Sequence, residues 1–312
     1  VANVSFGAAE TIYNAFLPEI APPEDRDSVS SKGFGIGYIG GGLLLALNLV
    51  LFLKADAIGI TQGMAVRISL SSAGVWWAVF TIPTILRLRN RGPARALPPG
   101  ENALAMVVKQ LGRTLSEVRR YPQAMLFLAA YLLYNDAVQA VLTLASQFGS
   151  DELKLPMSQL TAAILMVQFV AFFGAIGFNW VARAIGAKRA VVLSLIIWTA
   201  TIVYIYAAVK TSTQFFVLAA IVALVMGGTQ ALSRSLFAQI VPREKEAEYF
   251  SIYEISDKGT SWMCPAIFAI AMQITHSYRS AVLSLIFFFV AGLLVLLRVD
   301  ITRGEKAVQA VA

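Results

Sequence analysis

The chain has 312 residues, of which 58% are hydrophobic and 14% charged, with a net charge of +7 and a mean hydropathy of +0.70. Soluble domains carry about 25% charged residues, so this composition excludes a water-covered globule. One cysteine, Cys264, and one histidine, His276, exclude a disulfide framework and a clustered metal site.

In chain order, apolar patterning predicts helical spans at roughly 1–20, 34–53, 64–86, 123–147, 157–180, 189–209, 214–238, 255–275 and 279–298. The runs are continuous rather than alternating, which excludes a β-barrel. The fold class is therefore an all-α polytopic membrane protein. The chain opens on Val1 with no basic leader, the pattern of a fragment rather than a signal peptide or a natural start.

A dense hinge, "FLPEIAPPEDRD" (16–27), follows the first span. It places Glu19, Glu24, Asp25, Arg26 and Asp27 around two adjacent prolines. If this hinge is cytoplasmic, twenty Lys and Arg residues fall on the cytoplasmic side and five on the other. That asymmetry sets the predicted orientation, N-terminus outside and C-terminus in the cytoplasm of a bacterial inner membrane. Basic loops facing anionic lipid account for the net charge, and no nucleic-acid partner is needed.

The 87–122 connection is long. Its first part is basic and rich in proline and glycine. Its second part puts Leu104, Val107, Val108, Leu111, Leu115 and Val118 on one stripe, the pattern of an amphipathic helix along the membrane surface or of a plain connector.

The hinge has an echo at an offset of 220 residues: Ile20-x-Pro22-x-Glu24 against Ile240-x-Pro242-x-Glu244. Such an offset in a helical membrane protein points to duplicated halves. Three spans separate the long loop from the second copy, so three spans are expected before the first. A parent of twelve spans follows, of which nine are present, and a chain lacking three spans is not expected to cycle. The predicted parts are 1–86 for the remainder of an N-terminal half, 87–122 for the central loop, 123–298 for a six-helix C-terminal half and 299–312 for a tail.

"YNAFLPEIAPPEDRDSVSSKGF" (13–34), "YLLYNDAVQAV" (131–141), "GGTQALSRSLFAQIVP" (227–242) and "YEISDKGTSWMCP" (253–265) closely resemble the vacuole-effluxer branch of the major facilitator superfamily. The short loops look like those of a bacterial member. The resemblance implies a secondary transporter of an amino-acid-like solute, exporting it by alternating access, and not an enzyme. One superfamily loop departs from its usual pattern. "NWVARAIGAKR" (179–189) keeps Gly186, Lys188 and Arg189, but Asn179 stands for a glycine and Arg183-Ala184 for Asp-Arg.

Ionisable residues within apolar spans carry the site prediction, since an unpaired charge there costs roughly 2.5–3.5 kcal/mol on insertion scales. Glu10 lies about 15 Å and Asp136 about 20 Å into their spans at 1.5 Å per residue. Polar neighbours at helical spacing are Asn3, Tyr13 and Asn14 for Glu10, and Asn135 and Gln139 for Asp136. The 220 offset maps Glu10 onto Gln230 and Asn14 onto Arg234. Glu10, Asn14, Asn135, Asp136, Gln139 and Gln230 are the predicted solute or proton pathway, with an interhelical clamp as the alternative for the two acids.

Glu19, Asp25, Arg26, Arg234, Glu254, Asp257 and Lys258 are predicted gate or latch residues, with Glu254, Asp257 and Lys258 spaced to pair with one another. Arg234, near its span end, is expected to snorkel to lipid or to pair with the hinge acids. "GIGYIG" (35–40) matches a dinucleotide fingerprint but lacks the preceding strand. Gly33, Gly37 and Gly41 read instead as a helix-packing stripe. The expected partners are a small solute, a proton and the bilayer, around a monomer with no cofactor or metal. The rival reading is a membrane receptor or scaffold that keeps the transporter fold.

Overall fold

The computed structural model describes residues 2–88, 121–242, 245–258 and 261–309, with the backbone alone for 2–4, 256 and 257. The central-loop helix predicted within 87–122, and Arg243 and Glu244 of the repeat, lie outside the described residues. So do the side chains of Asn3 and Asp257.

Before the central segment stand α1 (Ala2–Ala15), α2 (Leu17–Ile20), α3 (Arg26–Leu53) and α4 (Gln62–Arg87). After it come α5 (Pro122–Gln147), α6 (Met157–Ile185), α7 (Ala187–Ala207) and α8 (Ser212–Gln239). The chain then continues through α9 (Glu246–Lys258), α10 (Met263–Thr275), α11 (Tyr278–Leu283), α12 (Ile286–Arg298) and α13 (Ile301–Gln309).

Among the described residues, seven spans are long and apolar enough to cross a membrane: α3 to α8, and α11 with α12 taken together. The other two predicted spans are interrupted. In the first, Pro18 has no N–H to donate to the Asn14 carbonyl, so α1 ends at Ala15 and a single turn, α2, follows. Pro23 then holds Pro22 extended (φ −62°, ψ 158°) and the chain reverses into α3. In the eighth, α9 ends at Lys258 and a fresh helix starts at Met263, with Pro265 in its first turn where a missing N–H costs least.

Starts and stops elsewhere follow local chemistry. Thr211 and Gln214 form a reciprocal capping box on α8, and the Thr61 and Ser277 hydroxyls cap α4 and α11. These turns define two ends of the bundle. The hinge end carries residues 21–25, 186, 240–242 and 299–300; the far end carries 54–61, 148–156, 208–211 and 276–277.

The closest helix pair is α6 with α8. A Cβ on Gly174 would sit 2.2 Å from the Leu224 carbonyl oxygen, and one on Gly227 2.4 Å from that of Ala171. Only glycine permits that approach. The stripe predicted on α3 differs from the observed one. Gly33 and Gly41 do face neighbours, Tyr13 and Gln168, but Gly37 faces open space. The α6 side chains are received by Gly41 and by two glycines outside the predicted stripe, Gly35 against Phe172 and Gly42 against Gln168 and Phe169. The face of α3 is chosen by where those bulky α6 side chains project.

The core is concentrated after the central segment. Trp198, Tyr134, Phe127, Phe237 and Phe289 are fully buried, with Trp198 stacked on Phe289 at 5.4 Å. In contrast, Leu70, Val75, Ile85 and Leu86 of α4 are exposed. Apolar faces turned outward are those that a hydrocarbon phase would cover.

Candidate transport site between two helix groups

Residues 2–88 meet residues 121–309 through α1 against α9, and through α3 against α6 and α8. The polar bridges described between these groups all lie in the hinge-end half of the helices. Nearest the turn, the Arg26 Nη1 donates to the Ala238 carbonyl (2.8 Å), and the Ser235 hydroxyl donates to Asp27 Oδ1. Arg183 reaches Ser28 Oγ at 3.5 Å, so the loop that lacks the usual carboxylate still ties to the opposite group.

Deeper, Arg234 Nη1 donates to Asn14 Oδ1 (3.0 Å), while its Nε donates to Ser30 Oγ (3.0 Å). Its guanidinium lies over the rings of Tyr13 (5.3 Å to the centroid) and Phe34 (4.7 Å). With 4% of its surface exposed, Arg234 does not snorkel to lipid, and no hinge acid among the described residues reaches it. Stacking between two rings supplies part of the solvation that water would otherwise give a guanidinium.

Asn14 also donates from Nδ2 to Glu254 Oε1 (2.7 Å). A turn deeper, Lys258 Nζ pairs with Glu10 Oε2 (2.9 Å), and the Tyr38 hydroxyl donates to Gln230 Oε1 (2.6 Å). Among the predicted latch residues, Glu254 and Lys258 thus reach across to the other helix group. Glu19 and Asp25 are exposed, and their side chains make no hydrogen bond or ion pair among the described residues.

These contacts form a pattern. Adding 220 to 10, 14, 34 and 38 gives 230, 234, 254 and 258. The pair Glu10–Lys258 becomes Gln230–Tyr38, and the pair Asn14–Glu254 becomes Arg234–Phe34. Asn14–Arg234 maps onto itself. These five pairs are thus exchanged among themselves, which is what a two-fold axis through the Asn14–Arg234 bond produces.

Asp136 lies apart from this layer. It is 1% exposed on α5, and its Oδ2 accepts the backbone N–H of Cys264 (2.8 Å), an otherwise orphan donor in the first turn of α10. Its Oδ1 is buried with no hydrogen-bond partner among the described residues. Asn135 is buried beside it, while Gln139 is partly buried and its side chain makes no hydrogen bond among the described residues.

Three further contributors are absent from the predicted site. Ser30 joins Arg234, Tyr38 joins Gln230, and the Tyr134 hydroxyl bonds Ser233 Oγ (2.7 Å). The 220 offset applied to Lys258 would have reached Tyr38. A separate apolar cavity of about 310 Å³ sits toward the far end between α5, α6, α8 and the end of α11, with Gln168 and Ser146 as its polar lining.

Residues 1–309 match the family described as vacuole effluxer Atg22 like. The chain belongs to that family. It is 34% identical over 298 residues to the Bacillus subtilis uncharacterized MFS-type transporter YxiO, covering 95% of this chain and 68% of that one. It is 30% identical over 298 residues to the Aspergillus niger autophagy-related protein 22-1, covering 89% of this chain and 48% of the relative, so it spans about half of the fungal protein.

Two solved structures share the fold. A bacterial homologue of the iron transporter ferroportin in an outward-facing state superposes with a TM-score of 0.62 at 17% identity, over 90% of this chain and 65% of that one. The Escherichia coli fucose:proton symporter FucP superposes at 0.63 and 12% identity, over 93% and 73%. The fold is that of a multi-pass major facilitator, and these relatives are named as transporters and effluxers rather than enzymes.

Proposed function

We propose that the chain is the working core of a secondary transporter that carries a small polar solute by alternating access. The observation that carries this reading is the contact set exchanged by the 220 offset, confined to one end of two helix groups. Two bodies joined at one end by a few polar bridges can rock apart there and close elsewhere, which moves access from one side to the other. Under the charge asymmetry of the loops, the hinge end is cytoplasmic and the described state is closed to the cytoplasm.

In this reading Asn14, Glu10, Gln230, Arg234, Glu254 and Lys258 line the pathway as soon as the groups separate. Arg26 and Asp27 brace the gate near the hinge. Asn135 and Asp136 form the deeper polar point, where the bare Oδ1 can take a proton or a donor from the solute. The family name supports efflux, and the sequence resemblance supports an amino-acid-like solute.

The test is counterflow in liposomes with the full-length protein across an amino-acid panel, with and without a pH gradient. The reading expects saturable counterflow of at least one amino acid, lost in the Asp136→Ala variant. Absence of flux for every solute would overturn it.

A further inference from the structure

Arg234 enters the opposite helix group as a guest. It stands on α8, yet every hydrogen bond and ring contact described for its guanidinium comes from the earlier group. Nη1 donates to Asn14 Oδ1 (3.0 Å), Nε to Ser30 Oγ (3.0 Å) and Nη2 to the Ser30 carbonyl (3.3 Å). The Tyr13 and Phe34 rings cover it, with centroids 5.3 and 4.7 Å from Cζ. Asn14, Ser30 and Arg234 are all buried.

Two helices build this box. Ser30, Gly33 and Phe34 share one face of α3 at i, i+3 and i+4, and Tyr13 and Asn14 come from the last turn of α1. Gly33 leaves room at its floor. A Cβ there would stand 3.1 Å from Tyr13 Oη and 3.4 Å from Arg234 Nη2. The turn between the two helices is tied within the group, where Arg26 Nε donates to the Ala21 carbonyl (3.4 Å). The 220 offset takes Tyr13 to Ser233 and Ser30 to Phe250, so the box is not repeated at the matching positions of the later group.

Resting on the transport reading above, we infer that this box is a solute site for a guanidinium group, filled by Arg234 while the gate is closed and by a guanidino solute once the groups part. Its acceptors and ring faces match a flat fork of N–H donors. A compact, strongly hydrated ammonium meets the rings but not the whole set of acceptors. None of Tyr13, Asn14, Ser30 and Phe34 is charged, so the guest leaves without breaking an ion pair.

When the groups part, Arg234 withdraws with α8 and the box stays with α1 and α3. The same movement takes the Ala231 carbonyl from the Ser30 hydroxyl and frees the Asn14 amide from Glu254. The acceptors of the box then face the opened pathway without donors, and a guanidinium supplies them. Guest and Arg234 exclude each other. A bound guest therefore holds the hinge end open, and the return of Arg234 drives it off toward the far end.

The probe is propylguanidine, which has the stem and head of an arginine side chain and no α-amino or carboxyl group. Butylamine is the matching ammonium. Binding is measured by calorimetry on full-length protein in detergent, and opening by the distance between spin labels at Glu24 and Arg303. Wild-type protein is expected to bind propylguanidine at least about tenfold more tightly than butylamine, and to show a longer hinge-end distance when it is bound. Arg234→Ala is expected to bind propylguanidine at least about tenfold more tightly than wild type, because no resident guanidinium has to leave. Adding Phe34→Leu should undo most of that gain, while adding Tyr13→Phe should keep it, since a phenyl ring still attracts a cation.

A wild-type protein that does not bind propylguanidine, even where Arg234→Ala does, marks Arg234 as a purely structural contact and overturns the proposal. Butylamine binding as tightly as propylguanidine, or a gain that Phe34→Leu leaves intact, overturns it too. The wild-type comparison decides the matter where Arg234→Ala fails to fold. Propylguanidine binding and opening without counterflow of any solute would sink the transport reading and leave the box standing. Amino-acid counterflow in liposomes that propylguanidine neither inhibits nor drives does the opposite.

Discussion

Asn14 and Arg234 stand 220 residues apart, are each other's counterparts in the internal repeat, and hydrogen-bond to one another at 3.0 Å. Residues related by a two-fold axis touch only where they lie next to it. That bond therefore marks the axis, and it is built from unlike residues, an amide and a guanidinium. Divergence at the axis breaks the symmetry there, giving the later group the charge and the earlier group the neutral acceptor.

If the flanking pairs hold the hinge end shut, bridging one of them covalently should stop transport. In a Cys264→Ala background, Tyr38→Cys with Gln230→Cys is expected to cross-link on oxidation. Counterflow should then fall to background and recover on reduction. Full counterflow from a cross-linked population, scored by gel shift, would show that these helices need not part.

Glu10 and Lys258 are 35% and 44% exposed at the side chain, so their ion pair is screened despite its depth along the helix. A double-mutant cycle with Glu10→Gln and Lys258→Met should return a coupling of about 0.2–1 kcal/mol in thermal stability. A coupling several times larger would place the pair in a drier environment than the structure shows.

Asp136 serves the second half of the interrupted eighth span. Asp136→Ala strips the first turn of α10 of its acceptor and should cost about 1–3 kcal/mol. Asp136→Asn keeps a carbonyl oxygen for the Cys264 N–H and should cost much less. Calorimetry on purified protein separates the two; equal losses would mean that the charge, not the hydrogen bond, is what α10 requires.

The glycines make an opposite pair of predictions. Gly37→Ala adds a methyl into open space and should leave the protein's yield and melting temperature unchanged. Gly227→Ala drives a methyl to 2.4 Å from the Ala171 carbonyl oxygen and should force α6 and α8 apart, costing about 1–3 kcal/mol. Parallel expression and thermal melts check both.

Much of this was legible in the residues, and the remainder has identifiable causes. Hydropathy located the spans because each must bury its own backbone in hydrocarbon. Among the described residues seven of the nine run as such; the first breaks at Pro18, where a missing N–H ends a helix that composition alone would extend, and the eighth is interrupted ahead of Met263, with Pro265 in the first turn of the new helix. The offset of 220 was visible in Ile-x-Pro-x-Glu. That Asn14 would touch its own counterpart was not, because contact between groups is fixed by packing rather than by any local pattern.

Arg234 was misjudged for the same reason. Five residues from the end of α8 it has the sequence environment of a snorkelling cation, and the rings that enclose it come from Tyr13 and Phe34, some two hundred residues earlier. The stripe on α3 failed at Gly37 because four-residue spacing marks a face without saying which neighbour fills it. Phe172 and Phe169 of α6 selected Gly35 and Gly42 instead.

The central claim is that the two helix groups separate at the hinge end while remaining bodies in themselves. Pulsed spin-label distances in the full-length protein test it most directly, with labels at Glu24 and Arg303 for the hinge end and at Asp56 and Asp151 for the far end. The account predicts a second, longer hinge-end distance once Asn14→Ala and Arg234→Gln are combined, with the far-end distance shortening in the same sample. A single hinge-end distance that neither the variants nor added solute change would contradict it.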